Sequence, residues 1–197
     1  MEKKLEGELH ENAEIIVEEV TRLEHILKEI LAFVKGSKLT KEKINLNDLI
    51  DNIAQLIRPE IEEKGNRFII NPSESPIMTK IDSDRIKEAL LNIIKNANQA
   101  TESGTIIVKT GREGTEALVE ISDTGCGIKQ EELKHIFTPF FTTLSHGTGL
   151  GLAITNRIIQ EHNGRIEVES VHLESGRDSA GKKGGTTFRI CLPLDEP

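Results

Sequence analysis

Two asparagines, Asn92 and Asn96, stand four residues apart inside the largely apolar run ALLNIIKNANQA. On a helix that spacing places both on one face. Asparagine is unfavourable in a helix interior because its amide competes for backbone hydrogen bonds. The pair is therefore either a solvated face or a set of amide oxygens lining a site, one of them ligating Mg²⁺, which takes oxygen ligands and keeps several waters. Asp123 ends the hydrophobic stretch Ala117-Leu118-Val119-Glu120-Ile121 and enters Thr124-Gly125-Cys126-Gly127-Ile128. A carboxylate there can accept a hydrogen bond from a ligand N–H while the glycine backbone passes close, although a capped turn would look alike. Downstream, FTPFFTT carries Phe137, Phe140 and Phe141, and Gly147-Thr148-Gly149-Leu150-Gly151-Leu152 follows. Glycine loops that open helices bind phosphate in several unrelated folds. No Gly-Lys-Ser/Thr follows, so this is not a P-loop. The G-x-G-x-G spacing without a βαβ unit is not a dinucleotide fingerprint either. Asp123 to Leu152 thus suggests a closure over a nucleotide.

The composition limits how such a ligand can be held. A net charge of −8 over 197 residues argues against a nucleic-acid binder relying on a bulk positive field. A polyanion must be gripped locally, by backbone amides, a helix N-terminus or a metal ion. Cys126 and Cys191 form no disulfide or metal-ligand pattern, which fits a reducing cytosol. No signal peptide or apolar run of about eighteen residues is present. The expectation is a soluble, cytoplasmic chain with no membrane segment of its own, the cytosolic part of a membrane sensor being one possible setting.

The elements that must position these residues follow from periodicity. Residues 1–8 are charged and expected to fray. From about Leu9 to Val34, Ile16, Val20, Leu23, Leu27, Ile30 and Val34 repeat at spacings of four and three, a heptad seam. Ala13 extends it, Ile15, Ile26 and Leu31 widen it, and Glu18, Glu19, Arg22, Glu24, Lys28 and Glu29 take the wetted face. Either it packs on its own domain or it is a dimerisation helix of a bundle, and the length of the seam favours the second. Gly36 and Ser37 end it, giving residues 1–38 as a partial dimerisation element and 39–197 as a second domain. Ile44–Leu46 suits a strand and Asn47 or Asp48 a helix cap, with a helix to about Lys64 and a kink or restart at Pro59. Arg67–Asn71 and Ile77–Ile81 read as strands, separated by the turn-rich segment 72–76. Asp82 caps the asparagine helix. Residues 105–110 and 117–122 form a hairpin around Arg112-Glu113-Gly114, and a helix at about 149–162 ends at Asn163-Gly164. Arg165–Val171 and Thr186–Leu192 are a last strand pair around a mobile segment, 174–185. The class is α/β, a two-layer α/β sandwich rather than a purely parallel sheet.

Taken together and in this order, the asparagine helix, DTGCGI, FTPFFTT, GTGLGLAI and the terminal GGTTFRICLPL resemble the sensor histidine kinases of two-component signalling. Those belong to the superfamily shared with gyrase, Hsp90 and MutL ATPases. The FTPFFTT form and short lid are similar to the nitrogen-regulation and sporulation-type kinases. The resemblance spans about residues 10–194. It implies a mixed sheet with helices on one face, binding ATP and Mg²⁺ under a mobile lid. It further implies Asn96 as the Mg²⁺ ligand, Asn92 as its partner near the phosphates, and Asp123 on the adenine amino group. Gly125, Gly127 and Ile128 would lie close to the base, Phe137, Phe140 and Phe141 would pack the lid, and Gly147, Thr148, Gly149, Leu150 and Gly151 would form the phosphate-side hinge. Thr186 or Thr187 would support the adenine, Thr187 being the one carried forward. Hydrolysing relatives place a glutamate where Asn92 stands. An amide is no general base at neutral pH, and Glu88 is a further turn away, so transfer is expected over hydrolysis.

The chain departs from this family in one respect. It has no His-Glu-x-x-Asn-Pro phosphoacceptor motif, and residues 9–38 resemble only the second helix of the dimeric bundle. His10, His25, His135, His146, His162 and His172 each have a local explanation: a helix start, a solvated face, lid polarity for His135 and His146, a helix C-terminal dipole for His162, a strand end for His172. No catalytic histidine is evident. The expectation is a fragment or naturally truncated kinase that relays phosphate to a response regulator receiver domain and self-associates as a homodimer through its first helix. The alternative is a non-catalytic nucleotide-binding module that regulates a full-length kinase.

Overall fold

The computed structural model describes residues 12–14, 16, 17, 19–21, 23, 24, 27, 30, 31, 39–143, 147–173 and 184–195. The expectations for residues 1–8, Ile15, Glu18, Arg22, Ile26, Lys28, Glu29, Val34, Gly36, Ser37, His10, His25, His146 and segment 174–183 lie outside these residues. The chain divides into two units, Met1–Ser37 and Lys38–Pro197. In the first, the described residues between 12 and 31 are helical (α1). The seam positions Ile16, Val20, Leu23 and Leu27 are 62%, 51%, 61% and 56% exposed. Within its own unit this apolar stripe is left open to solvent.

The second unit runs β1 (Glu42–Asn45), α2 (Leu46–Glu63), β2 (Arg67–Asn71), β3 (Met78–Ile81), α3 (Ser83–Ala100), β4 (Thr105–Glu113), β5 (Glu116–Asp123), α4 (Gln130–Leu133), α5 (Gly151–Glu161), β6 (Arg165–Val171) and β7 (Gly185–Pro193). Its main sheet has five strands in the order β2-β4-β5-β7-β6. The β2–β4 pair is parallel and the others are antiparallel. The sheet is therefore mixed, as expected. Strand alternation sends Ile106 and Val108, Ala117, Val119 and Ile121, and Phe188, Ile190 and Leu192 to one buried face. Across it, α2, α3 and α5 bury Ile53, Ile57, Ile86, Leu90, Ile93, Ile94, Ile158 and Ile159. The opposite face carries cross-strand ion pairs, Lys109 with Glu120 at 2.9 Å, Arg189 with Glu113 at 2.7 Å, and Arg165 with Glu116. It is a solvated surface and leaves one apolar layer, with α2, α3 and α5 packed on it.

Several boundaries differ from the sequence reading. The α2 cap is Asn45, not Asn47 or Asp48. Its Oδ1 accepts from Asn47 N at 3.2 Å and from Ile77 N at 3.1 Å, so one side chain caps the helix and ties it to the approach to β3. The helix passes Pro59 without a restart. Proline removes the bond to the carbonyl of Gln55, but both residues are exposed and water can satisfy that carbonyl. Strands β2 and β3, either side of segment 72–76, belong to different sheets, since β3 pairs with β1. The β4–β5 hairpin extends further than expected and turns at Gly114-Thr115. Helix α5 begins at Gly151 rather than 149, and the short α4 was not anticipated.

Candidate nucleotide site

The asparagine helix α3 is fastened at both ends. Asp82 caps it as expected: Oδ1 accepts from Arg85 N at 3.2 Å, and Oδ2 accepts from Thr40 N at 2.9 Å. Burial pushes this carboxyl up, and the Thr40 and Arg85 amides with His162 and Arg85 outweigh it, so its pKa ends below the usual value. The Asp82 amide in turn donates to His162 Nε2 at 2.9 Å, while His162 Nδ1–H donates to Ile158 O at 2.7 Å. Both ring nitrogens are committed, one as acceptor, so the buried ring is neutral. Burial first, with Lys41 adding to it, lowers its pKa despite the Ile158 carbonyl. His162 is thus no charged partner of a helix dipole. That role belongs to Lys41, whose Nζ donates to Glu161 O at 3.0 Å at the end of α5. At the other end of α3, Lys64 Nζ donates to Asn98 O at 2.7 Å and Gln99 O at 3.0 Å. Asn98 is buried, and its Oδ1 accepts from Asn66 Nδ2 at 2.8 Å. Asn66 also donates to Thr101 O and accepts from Gly104 N. The side chain of Asn98 is thus a buried brace between α3 and Asn66.

Asn92 and Asn96 share one face of α3, as their spacing predicts. Asn92 Nδ2 donates to Thr155 Oγ1 on α5 at 3.0 Å. Gly151, the first residue of α5, lies against the same amide: a Cβ there would fall 2.6 Å from Asn92 Oδ1. Asn96 is half-buried and its amide has no hydrogen bond among the described residues. Glu88 is held in an ion pair with Arg85 at 2.6 Å, which removes it as a substitute base.

Asp123, 9% exposed, ends β5 with Oδ1 accepting from Gly125 N at 2.8 Å and Thr186 N at 3.3 Å. Oδ2 has no hydrogen bond among the described residues. Burial raises the carboxyl pKa, and the two amides lower it without cancelling that effect. Gly125 packs on the Ala100 carbonyl, leaving no room for a Cβ, and Cys126 N donates to Ala100 O at 3.2 Å. Gly127 has a φ of 74° and faces the Val171 carbonyl, so it needs glycine on both counts. Ile128 N donates to Ser170 Oγ at 2.7 Å. Ser170 Oγ also contacts Thr186 Oγ1 at 3.0 Å. Thr187 instead meets Ser122 Oγ at 2.9 Å. Ser122 and Asp123 are adjacent on one strand and point to opposite faces. Thr187 is therefore on the far side of the sheet, and Thr186 replaces it beside Asp123.

These clusters meet on α3. Asn92, at the glycine loop, Asn96, and Ala100, at Gly125, recur every fourth residue along one side of the helix. Eight residues separate the ends, about 12 Å at 1.5 Å per residue. The helix therefore forms a floor on the scale of an extended nucleoside triphosphate, with Asp123 and Gly125 at one end and Gly151 at the other. Ahead of α5, Phe140 N donates to Gly149 O at 3.0 Å. Gly149 (φ 68°) packs against the Phe140 backbone, itself at φ 67°. Thr148 Oγ1 accepts from Leu150 N at 3.3 Å, and Leu150 is buried. Gly147 is exposed. Of the three phenylalanines expected to pack the lid, Phe137 is half-buried and the Phe141 ring lies 5.8 Å from His135 at a tilt of 45°, whereas Phe140 is 64% exposed. Ile136 takes the buried position instead. His172 lies 3.3 Å from Gly127 O. Among the described residues no group of three His, Cys, Asp or Glu could hold a metal ion, and no helix is long and apolar enough to cross a membrane.

Residues 81–196 match the family described as histidine kinase-, DNA gyrase B-, and HSP90-like ATPase. The chain is 36% identical over 190 residues to the sensor histidine kinase ZraS of Salmonella typhi, covering 95% of this chain and 39% of that protein. It is 36% identical over 201 residues to sporulation kinase D of Bacillus subtilis, covering 98% and 37%. It therefore spans about two fifths of these relatives. Among solved structures, the catalytic domain of the histidine kinase ThkA superposes with a TM-score of 0.67 at 31% identity, over 78% of this chain and 95% of that one. ThkA in complex with the response regulator protein TrrA superposes with a TM-score of 0.73 at 32% identity, over 91% and 49%. The fold is thus shared with these kinases, and the chain belongs to the histidine kinase-, DNA gyrase B- and HSP90-like ATPase family, on its sensor histidine kinase branch.

Proposed function

We propose that the Lys38–Pro197 unit binds ATP along α3 and presents its γ-phosphoryl group to a histidine carried on a separate helical segment. The observation that carries this reading is the occupant of position 92. A base for water is missing there: Asn92 cannot take a proton, its amide is held by Thr155, and Glu88 is tied to Arg85. An imidazole brings its own lone pair, so the transfer needs alignment and charge neutralisation rather than a base. The imidazole nitrogen forms the new N–P bond as the bond from the γ-phosphorus to the bridging oxygen breaks, and ADP leaves. Asp123 Oδ2 accepts from the adenine amino group, with Thr186 beside it, and Gly125 and Gly127 let the base approach. The Gly147–Gly151 turn and the α5 N-terminus receive the phosphates. The Asn96 amide oxygen, with the nucleotide's own phosphates, would hold Mg²⁺, which when bound would supply the charge neutralisation of the triphosphate that a chain of net charge −8 lacks. The phosphoryl group then passes to the aspartate of a response regulator receiver domain, and the ThkA–TrrA complex supports that class of partner.

Adenine-nucleotide titrations with and without magnesium, followed by transfer of labelled phosphate to an added histidine-bearing bundle, test the proposal. Asp123→Asn and Asn96→Ala are expected to weaken Mg·ATP binding by about tenfold or more. Asp123→Asn should leave stability at pH 7 unchanged or higher, because a raised carboxyl pKa means the folded state pays for ionisation. Tight binding with no transfer to any bundle would favour the second reading, a non-catalytic module that regulates a full-length kinase.

A further inference from the structure

Thr155 was singled out by no motif, yet it is a fully buried hydroxyl on the helix that the glycine loop opens, with 0% of its surface exposed. Gly151 and Thr155 are four apart and share one face of α5. Both address the same group: Gly151 lies against the Asn92 amide, and Thr155 Oγ1 is 3.0 Å from its nitrogen. An amide next to a phosphate site can point either way. The wrong orientation would offer an acceptor oxygen to Thr155 and turn N–H groups toward the ligand. In this structure the Thr155 oxygen is the acceptor, with Asn92 Nδ2 donating to it. With Nδ2 donating to Thr155, Oδ1 is the amide atom nearest a Cβ built on Gly151, where the glycine loop enters α5.

We infer that Thr155 is a positioning residue that fixes the Asn92 amide with its oxygen toward the metal–phosphate end of the site. This links the orientation of Asn92 on α3 to the seating of α5 under the glycine loop. The inference rests on the nucleotide reading above. It makes Thr155 relevant to magnesium-dependent binding although no atom of it need touch the nucleotide.

The test compares Thr155→Val, which keeps the shape and removes the hydroxyl, with Thr155→Ser, which keeps the hydroxyl. Both are made in the full chain and again in an Asn92→Ala background. Expected is a loss of about tenfold in Mg·ATP affinity for Thr155→Val, little change for magnesium-free ADP, recovery to within about twofold in Thr155→Ser, and no further effect of Thr155→Val once Asn92 is alanine. An equal loss in both backgrounds, equal losses for ADP and Mg·ATP, or no recovery by serine would overturn the positioning role. Should Thr155→Val not fold, hydrogen exchange of the Asn92 side-chain amide in the wild-type protein decides: protection well above that of Asn96 supports the inference, and equal exchange overturns it. Wild-type protein that binds no adenine nucleotide overturns both this inference and the nucleotide reading. Wild-type binding with unchanged Thr155→Val overturns the inference alone.

Discussion

At the scale of single residues, His162 connects the ends of two helices that both border the site. Its neutral ring accepts from Asp82 N at the start of α3 and donates to Ile158 O near the end of α5. Lys41 beside it opposes a positive charge, while Asp82 and Glu161 favour one. The folded pKa lies below 6.5, so the unfolded chain takes up this proton first as pH falls. The stability His162 confers is thus fully present above about pH 6.5 and declines below it, down through the folded pKa. Urea unfolding at pH 7.5 and 5.5 should show wild-type stability falling more steeply than that of His162→Gln. Parallel slopes would discard the idea. Residues such as His162 show why the site was only half legible in the sequence. Asn92, Asn96, Asp123 and the glycines sit in local clusters whose spacing is itself the signal. Asn66, Lys41 and Thr155 act on partners 32, 120 and 63 residues away, and no local pattern marks them. The choice between Thr186 and Thr187 needed strand register, because one step along a strand reverses the face.

At the scale of elements, periodicity identified each helix and strand whose apolar residues repeat cleanly, and α3 most clearly of all. Local residue type misleads at two places. Asn45, Asn47 and Asp48 all suit a helix cap, and Asn45 is selected by its second bond, to Ile77 N. Pro59 predicts a kink or restart, yet the helix has no restart there, and burial of Ile53, Ile57 and Ile61 along one stripe holds it through the proline. Tertiary packing overrides propensity here. The proline still costs the helix one backbone bond on its exposed side. Pro59→Ala should therefore raise the unfolding free energy by about 1–3 kcal/mol, the lower part of the range if proline's restriction of the unfolded chain offsets much of the gain. A lower denaturation midpoint in Pro59→Ala would mean that Pro59 has a packing role that its exposure does not reveal.

At the scale of the whole chain, the two units differ in how they handle apolar surface. Lys38–Pro197 buries its isoleucines between sheet and helices, while α1 leaves Ile16, Val20, Leu23 and Leu27 more than half exposed. Full burial of such side chains is worth up to about 1.5–3 kcal/mol each, so four from each of two copies supply a gain of the same order as the cost of bringing the copies together, about 4–15 kcal/mol. A spacing of four and three is that of a bundle seam, so the partner most directly complementary to α1 is a second α1. Sedimentation across a concentration series should show self-association of the wild-type chain, and Leu23→Glu with Leu27→Glu should shift it to monomer. Mg·ATP affinity of the charged variant should stay within about twofold of wild type, since the residues proposed to hold the nucleotide all lie in Lys38–Pro197. A wild-type chain that remains monomeric at every concentration would remove the homodimer. Loss of nucleotide binding in the monomeric variant would show instead that α1 contributes to the site.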